Sequence, residues 1–157
     1  MRKWINLCEN THPSISEIVT QVRDRWISEG YSVASIQDGN CFEFADSVVQ
    51  MTEEVGYPTG EFFTAALGSF FKYEGQYNDD PVGFDEQLLH THWSKWHPIP
   101  NTTWQQMYEK GFDWDGIHGW VVNKNTQMCY DVVNVNGVQN FWELHFFKPY
   151  VDDVINN

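Results

Sequence analysis

The sequence predicts an α+β domain, with N-terminal helices packed on a C-terminal antiparallel sheet. Three observations carry this. Apolar residues recur at steps of three and four from Ile15 to Trp26 and again from Cys41 to Val55, the spacing of one helical face. Apolar and polar residues alternate over 117–122 and again over 127–135, the period of a strand. Asn136-Gly137 is the dipeptide most favoured in tight hairpin turns. Helices gathered first and strands last fit the α+β class rather than alternating βαβ units. A chain of 157 residues is one domain, taken as 1–157, long enough to close a core without staples.

In chain order, residues 1–12 are a lead-in in which Trp4, Ile5 and Leu7 can form a short strand or a packed turn. Ser14 and Glu17 match a capping box, and the helix they start carries Ile15, Ile18, Val22 and Trp26 on one stripe to about Glu29, closed by Gly30. Residues 31–36 are expected to be extended. Gly39 suits a tight turn and Asn40 a helix cap, since glycine tolerates φ > 0 and asparagine can accept from orphan N–H groups. The helix beginning at Cys41 should stop near Gly56, before Pro58. Between 60 and 100, the run from Phe62 to Phe71 fits either a buried helix or strands broken at Gly68. Residues 74–83 have loop composition, 85–96 are expected to be helical, and a short helix over 103–110 would be capped by Asn101 or Thr102 and closed by Gly111. A two-residue turn at Lys124 and Asn125 or a four-residue loop over 123–126 sets one register, in which His118 lies directly opposite Asp131, within hydrogen-bonding reach. The Asn136-Gly137 turn then brings Trp142 beside Asp131, where an indole would shield the pair from water. Residues 151–157 are expected to be a loose tail.

Charge narrows the partners. A formal net charge of -13, with nine Lys and Arg against 22 Asp and Glu, repels phosphate backbones and anionic lipid surfaces. Direct nucleic-acid binding is therefore not expected. What survives is an acidic enzyme with a cationic or neutral substrate, or an acidic decoy that mimics DNA. The acids are spread along the chain, which favours an ordinary solvated surface. No apolar run reaches membrane-span length. Three cysteines cannot all pair, and no signal-peptide run precedes them, so a reducing cytoplasm is the expected location. Nothing in the sequence bears on oligomeric state.

The chemistry-bearing residues begin with Cys41. At a helix start a thiolate is favoured by unpaired N–H groups and the dipole, whereas an ordinary buried cysteine is only a small hydrophobe. Cys41, His118 and Asp131 supply, in that order, a nucleophile, a base and an orienter of the base. Asp113 and Asp115 flank Trp114 just before the His118 strand and could select a basic or polar acyl group by charge complementarity; the bland alternative is a hydrated turn. His90, His92 and His97 invite a zinc reading, but residues two apart diverge on a helix and no further ligand has suitable spacing, so no metal is expected. Cys8 and Cys129 are read as structural. Cys129 shares a face with Asp131, and a pairing with Cys41 stays open.

Asp38-Gly39-Asn40-Cys41 resembles the Asp-Gly-Asn-Cys signature of ovarian-tumour-type deubiquitinases. Gly39-Asn40-Cys41 through Ala45, with His118-Gly119-Trp120 and Tyr130-Asp131, is similar to the transglutaminase-like branch of the papain-like thiol hydrolases. The resemblance implies a papain-like fold and acyl chemistry on a peptide, isopeptide or amide bond, by hydrolysis or by deamidation or transamidation of glutamine, with no cofactor. It also implies oxyanion donors, the Cys41 N–H with Gln37 or Asn40, and brings Asp38 into the site. With Trp120, Asp113, Asp115 and Trp142 these complete the candidate oxyanion- and substrate-binding set. The rival expectation is a non-catalytic acidic binding or inhibitor protein, a papain-like relic or nucleic-acid mimic. Small size and acidity would also suit a viral or phage accessory protein in the host cytoplasm.

Overall fold

The computed structural model describes residues 12–67, 72–73, 76–77, 82–83, 99, 101–102, 106, 109–110 and 118–156. They form a mixed α+β domain: helices α1 (Ile15–Ser28), α2 (Val33–Gly39) and α3 (Cys41–Glu54); strands β1 (Phe62–Leu67), β2 (Lys72–Tyr73), β3 (Gln76–Tyr77), β4 (Val82–Gly83), β5 (His118–Asn123) and β6 (Cys129–Tyr130); a 3₁₀ turn over Phe141–Glu143; and helix α4 (Lys148–Asn156). The main sheet has the order β4-β1-β5-β6, antiparallel throughout, and β2 pairs with β3 alone. Among the described residues no helix is long and apolar enough to cross a membrane.

Helix α1 starts as its sequence requires. The Ser14 hydroxyl accepts from the Glu17 N–H at 3.2 Å, which is the serine half of the expected capping box, Ile18, Val19 and Val22 are buried, and Gly30 ends it at φ +105°. Of the segment expected to be extended over 31–36, residues 31–32 lie outside any helix with Ser32 extended, and Val33 onward is instead the start of α2. Ser32 and Ser35 cap each other, each hydroxyl accepting the other's N–H at 3.0 Å, and this reciprocal pair outweighs the strand preference of Tyr31 and Val33. The expected tight turn at Gly39 is absent. Gly39 lies in the last turn of α2, and Asn40 is at once the C-cap of α2 and the N-cap of α3. Asn40 makes no side-chain cap; its amide Nδ2 donates back to the Ser35 carbonyl at 3.1 Å. Helix α3 ends as expected, with Gly56 at φ +110°.

Of the two alternatives for the aromatic run, residues 62–67 take the strand. β1 pairs with β5 along its whole length, from Phe62↔Asn123 to Leu67↔His118, and with β4 on its other edge. The sheet therefore draws a central strand from the middle of the chain, and β3 and β4 fall inside the segment expected to be loop. The expected helix over 85–96 and the lead-in over 1–11 lie outside the described residues. So does most of the expected helix over 103–110, of which the Lys110 N–H to Gln106 carbonyl bond at 3.1 Å is one helical step.

The β5–β6 register is displaced by two residues from the expected one, pairing Val121 with Tyr130 and Val122 with Cys129. The cause is an Asx turn. Asn123 Oδ1 accepts the N–H groups of Asn125 at 2.8 Å and Thr126 at 3.1 Å, and Gln127, at φ 62°, returns its N–H to the Asn123 carbonyl at 2.7 Å. A displacement of two leaves every side chain on the face expected of it, where a displacement of one would have reversed them all. Past Tyr130 the strand stops, because Asp131 Oδ1 accepts from the Val133 N–H at 3.1 Å and the Asn134 N–H at 2.7 Å and bends the chain. The turn falls one residue earlier than Asn136-Gly137: the Gly137 N–H donates to the Asn134 carbonyl at 3.1 Å with Gly137 at φ +82°, and among the described residues a single bridge, Cys129↔Val138, follows. The expected third strand is replaced by the 3₁₀ turn that carries Trp142, so Trp142 does not face Asp131 across a ladder. The expected loose tail is helix α4, anchored by Val151 at 3 % exposure.

The sheet is the middle of three layers. On one face Phe62, Val121, Tyr130 and Val132 pack against Ile18, Val22, Ile36, Phe44 and Val48 of α1–α3. On the other, Ala65, Trp120, Val122 and Cys129 pack against Phe141, Leu144, Phe147 and Val151.

Candidate functional site

The alternation along β5 puts its side chains on opposite layers. His118 joins Trp120 and Val122 on the face covered by the C-terminal segment, while α3, which begins with Cys41, lies on the other. The two meet at the β6 edge of the sheet. The β5–β6 ladder reaches no further than Val121↔Tyr130, and beyond it the Gly119 N–H donates to the Cys41 sulfur at 3.3 Å. Cys41 is 7 % exposed and His118 fully buried.

The His118 ring is held on several sides. Its Nε2 bonds Asp131 Oδ2 at 3.0 Å, although the ladder makes the two diagonal rather than directly opposed. The bend at Asp131 turns its carboxylate toward the ring, one oxygen fixing the turn and the other the imidazole. Phe146 stacks on the ring with centroids 4.3 Å apart and planes 6° off parallel, and Phe147 meets it edge-on at 5.7 Å. Nδ1 is buried and makes no hydrogen bond to oxygen or nitrogen among the described residues; the ring's other hydrogen-bonding neighbour is the Cys41 thiol.

The electrostatics of the two groups run in opposite directions. Burial pushes the Cys41 thiol up, but the bond to His118 and the Gly119 N–H outweigh it and hold the thiol below its ordinary value. Burial pulls His118 down, yet the bonds to Asp131 and Cys41 prevail and hold the imidazole above its usual range. A lowered thiol beside a raised imidazole favours a thiolate–imidazolium pair, which titrates as a unit.

The remaining expected site residues are placed differently. Asn40 turns its amide nitrogen toward Ser35, away from α3; Gln37 is half-buried and Asp38 exposed, both near the end of α2. Trp120 is a core residue, 1 % exposed and stacked on Phe141 at 5.3 Å, so its faces are closed to a ligand. Trp142 is half-buried against the C-terminal core, and the aromatic cover expected of it comes from Phe146. Asp113 and Asp115 lie outside the described residues, as do His90, His92 and His97. Among the described residues no group of three or more His, Cys, Asp or Glu could hold a metal ion. Cys129 is fully buried and its thiol is raised by that burial; it and Cys41 are both thiols, so the pairing left open does not form.

Two neighbours of the site went unread in the sequence. Gly119 carried a signal, since a glycine inside a strand marks a close backbone approach. Phe146 carried none, because its position depends on the turn at 141–143 replacing a strand. A scan against protein-family models and searches of curated proteins and of solved structures find no match to this chain.

Proposed function

We propose that this protein is a cysteine-dependent hydrolase or acyl transferase of papain-like type, acting on a peptide, isopeptide or amide bond. The observation that carries the reading is the pairing of opposite shifts at one point: a thiol at a helix start held low, against an imidazole held high by a buried carboxylate at 3.0 Å. In this scheme the Cys41 thiolate attacks the carbonyl carbon, forming the C–S bond and an oxyanion. Collapse breaks the C–N bond, and the departing amine takes its proton from the His118 imidazolium. Water or a second amine then attacks the thioester while His118 takes its proton, the C–S bond breaks, and the acyl product leaves behind the thiolate–imidazolium pair. Asp131 stabilises the imidazolium and fixes the ring. Asn40 directs its amide nitrogen elsewhere, so the oxyanion donors this scheme retains are the Cys41 N–H and the Gln37 amide. Hydrolysis leads; deamidation of glutamine is the same hydrolysis with ammonia as the leaving group, and transamidation replaces the water by a second amine.

The test is reactivity. Cys41 should be alkylated by iodoacetamide at neutral pH well over tenfold faster than an ordinary thiol, Cys41→Ala should abolish that fast labelling, and His118→Ala should slow it. Labelling at the rate of an ordinary thiol would leave a non-catalytic binding protein as the better account.

A further inference from the structure

We infer that Gly119 is a positioning residue of this site: its backbone N–H holds the Cys41 sulfur, and the absence of a side chain lets β5 lie close enough to α3 for it to do so. The inference rests on Cys41 being the nucleophile. Three observations support it.

The first is the bond itself, an N–H to sulfur contact of 3.3 Å between residues far apart in sequence. A hydrogen bond to an ionised acceptor is roughly twice as strong as one to a neutral acceptor, so this donor favours the thiolate over the thiol. The second is space. A Cβ built on Gly119 would lie 3.2 Å from the Phe42 ring and 3.3 Å from the Phe42 Cα, the backbone of the residue after Cys41. The ring can turn aside, but the Cα can move only with the start of α3, which would carry the sulfur off the N–H. The third is the strand. The pairing with β6 ends at Val121↔Tyr130, whereas the pairing with β1 continues through Ala66↔Gly119 and Leu67↔His118. The residue that clamps the sulfur and the residue that faces it as base are thus consecutive on one strand, pinned along its other edge. Proton acceptor and thiolate donor keep a fixed spacing whatever the loops do.

The cleanest test removes the N–H at the cost only of a weaker carbonyl acceptor at His118, which a control at Val121 shares at its own position. Glycolic acid placed at position 119 by cell-free translation puts an ester where the amide was. The readout is the pH midpoint of Cys41 alkylation by iodoacetamide, with thiolate ultraviolet absorbance as a second measure. The midpoint should rise by about one pH unit, a tenfold loss of thiolate below it. The corresponding hydroxy acid at Val121, inside the β5–β6 ladder, weakens the strand equally and should leave the midpoint in place. In an ordinary variant, Gly119→Ala should raise the midpoint too, and Phe42→Ala added to it should recover part of the shift, since two of the three close contacts are to the ring. An unchanged midpoint in the 119 ester, or an equal rise in the 121 ester, overturns the role given to Gly119 while leaving Cys41 as nucleophile intact. A wild-type thiol that labels no faster than an ordinary one overturns both.

Discussion

At the scale of single residues, His118 and Asp131 give the sharpest expectation. The folded imidazole is held above its unfolded value of about 6.5, so its contribution to stability is complete below that pH and is lost as pH rises through the folded value. The Cys41 thiol runs the other way: its contribution is complete above about 8.5 and is lost as pH falls through the lowered folded value. Asp131→Asn keeps an oxygen for the Val133 and Asn134 N–H groups but puts an amide nitrogen, a donor, opposite Nε2, so the charge and the acceptor for the imidazolium N–H are lost together. Its destabilisation should therefore be larger at pH 6 than at pH 10, read as the change in urea midpoint against wild type; equal losses at both would mean the charge is not what holds the imidazole. Phe146→Ala removes a half-buried stacking partner, costing about 0.5–1.5 kcal/mol of folding stability beyond the burial lost, and by admitting water to the ring it should raise the pH midpoint of Cys41 labelling.

At the scale of elements, stability turns on a few side-chain-to-backbone bonds, and these also decided what the sequence disclosed. Ser32→Ala breaks the reciprocal cap of α2 and should cost about 1 kcal/mol in a denaturant titration. Phe147→Ala empties a fully buried position between α4, Trp120 and His118 and should cost about 3–5 kcal/mol. The two long helices were legible because their limits are set by residues with one strong meaning, Ser14, Gly30 and Gly56. Helix α2 was not, because its box uses Ser35 where the usual pattern has Glu or Gln. The hairpin register was missed for a similar reason: the Asn123 side chain, rather than the loop length, chose the turn. Helix α4 was hidden by position, since a chain end reads as loose until Val151 is seen in the core.

At the scale of the whole molecule, the candidate site was legible even where the register was not. A displacement of two preserves which layer each side chain faces, so His118 and Asp131 still share a face and the bend at Asp131 closes the remaining gap. Neither the edge position of β6 nor its early end could be read from periodicity, and with them went Gly119 and Phe146. The net charge acts at this scale too. Thirteen uncompensated negative charges repel one another, and salt screens them within a Debye length of about 10 Å at 0.1 M. Raising the ionic strength should therefore raise the thermal midpoint, and a flat response would place the repulsion in local pairs instead.

The carboxylate of Asp131 is a shared fastening: the oxygen that ends a strand and the oxygen that aims a ring belong to one side chain. Backbone path and ring orientation are consequently inseparable at this position. An alanine there releases both, so its cost should exceed that of the isosteric amide by the worth of the bend alone.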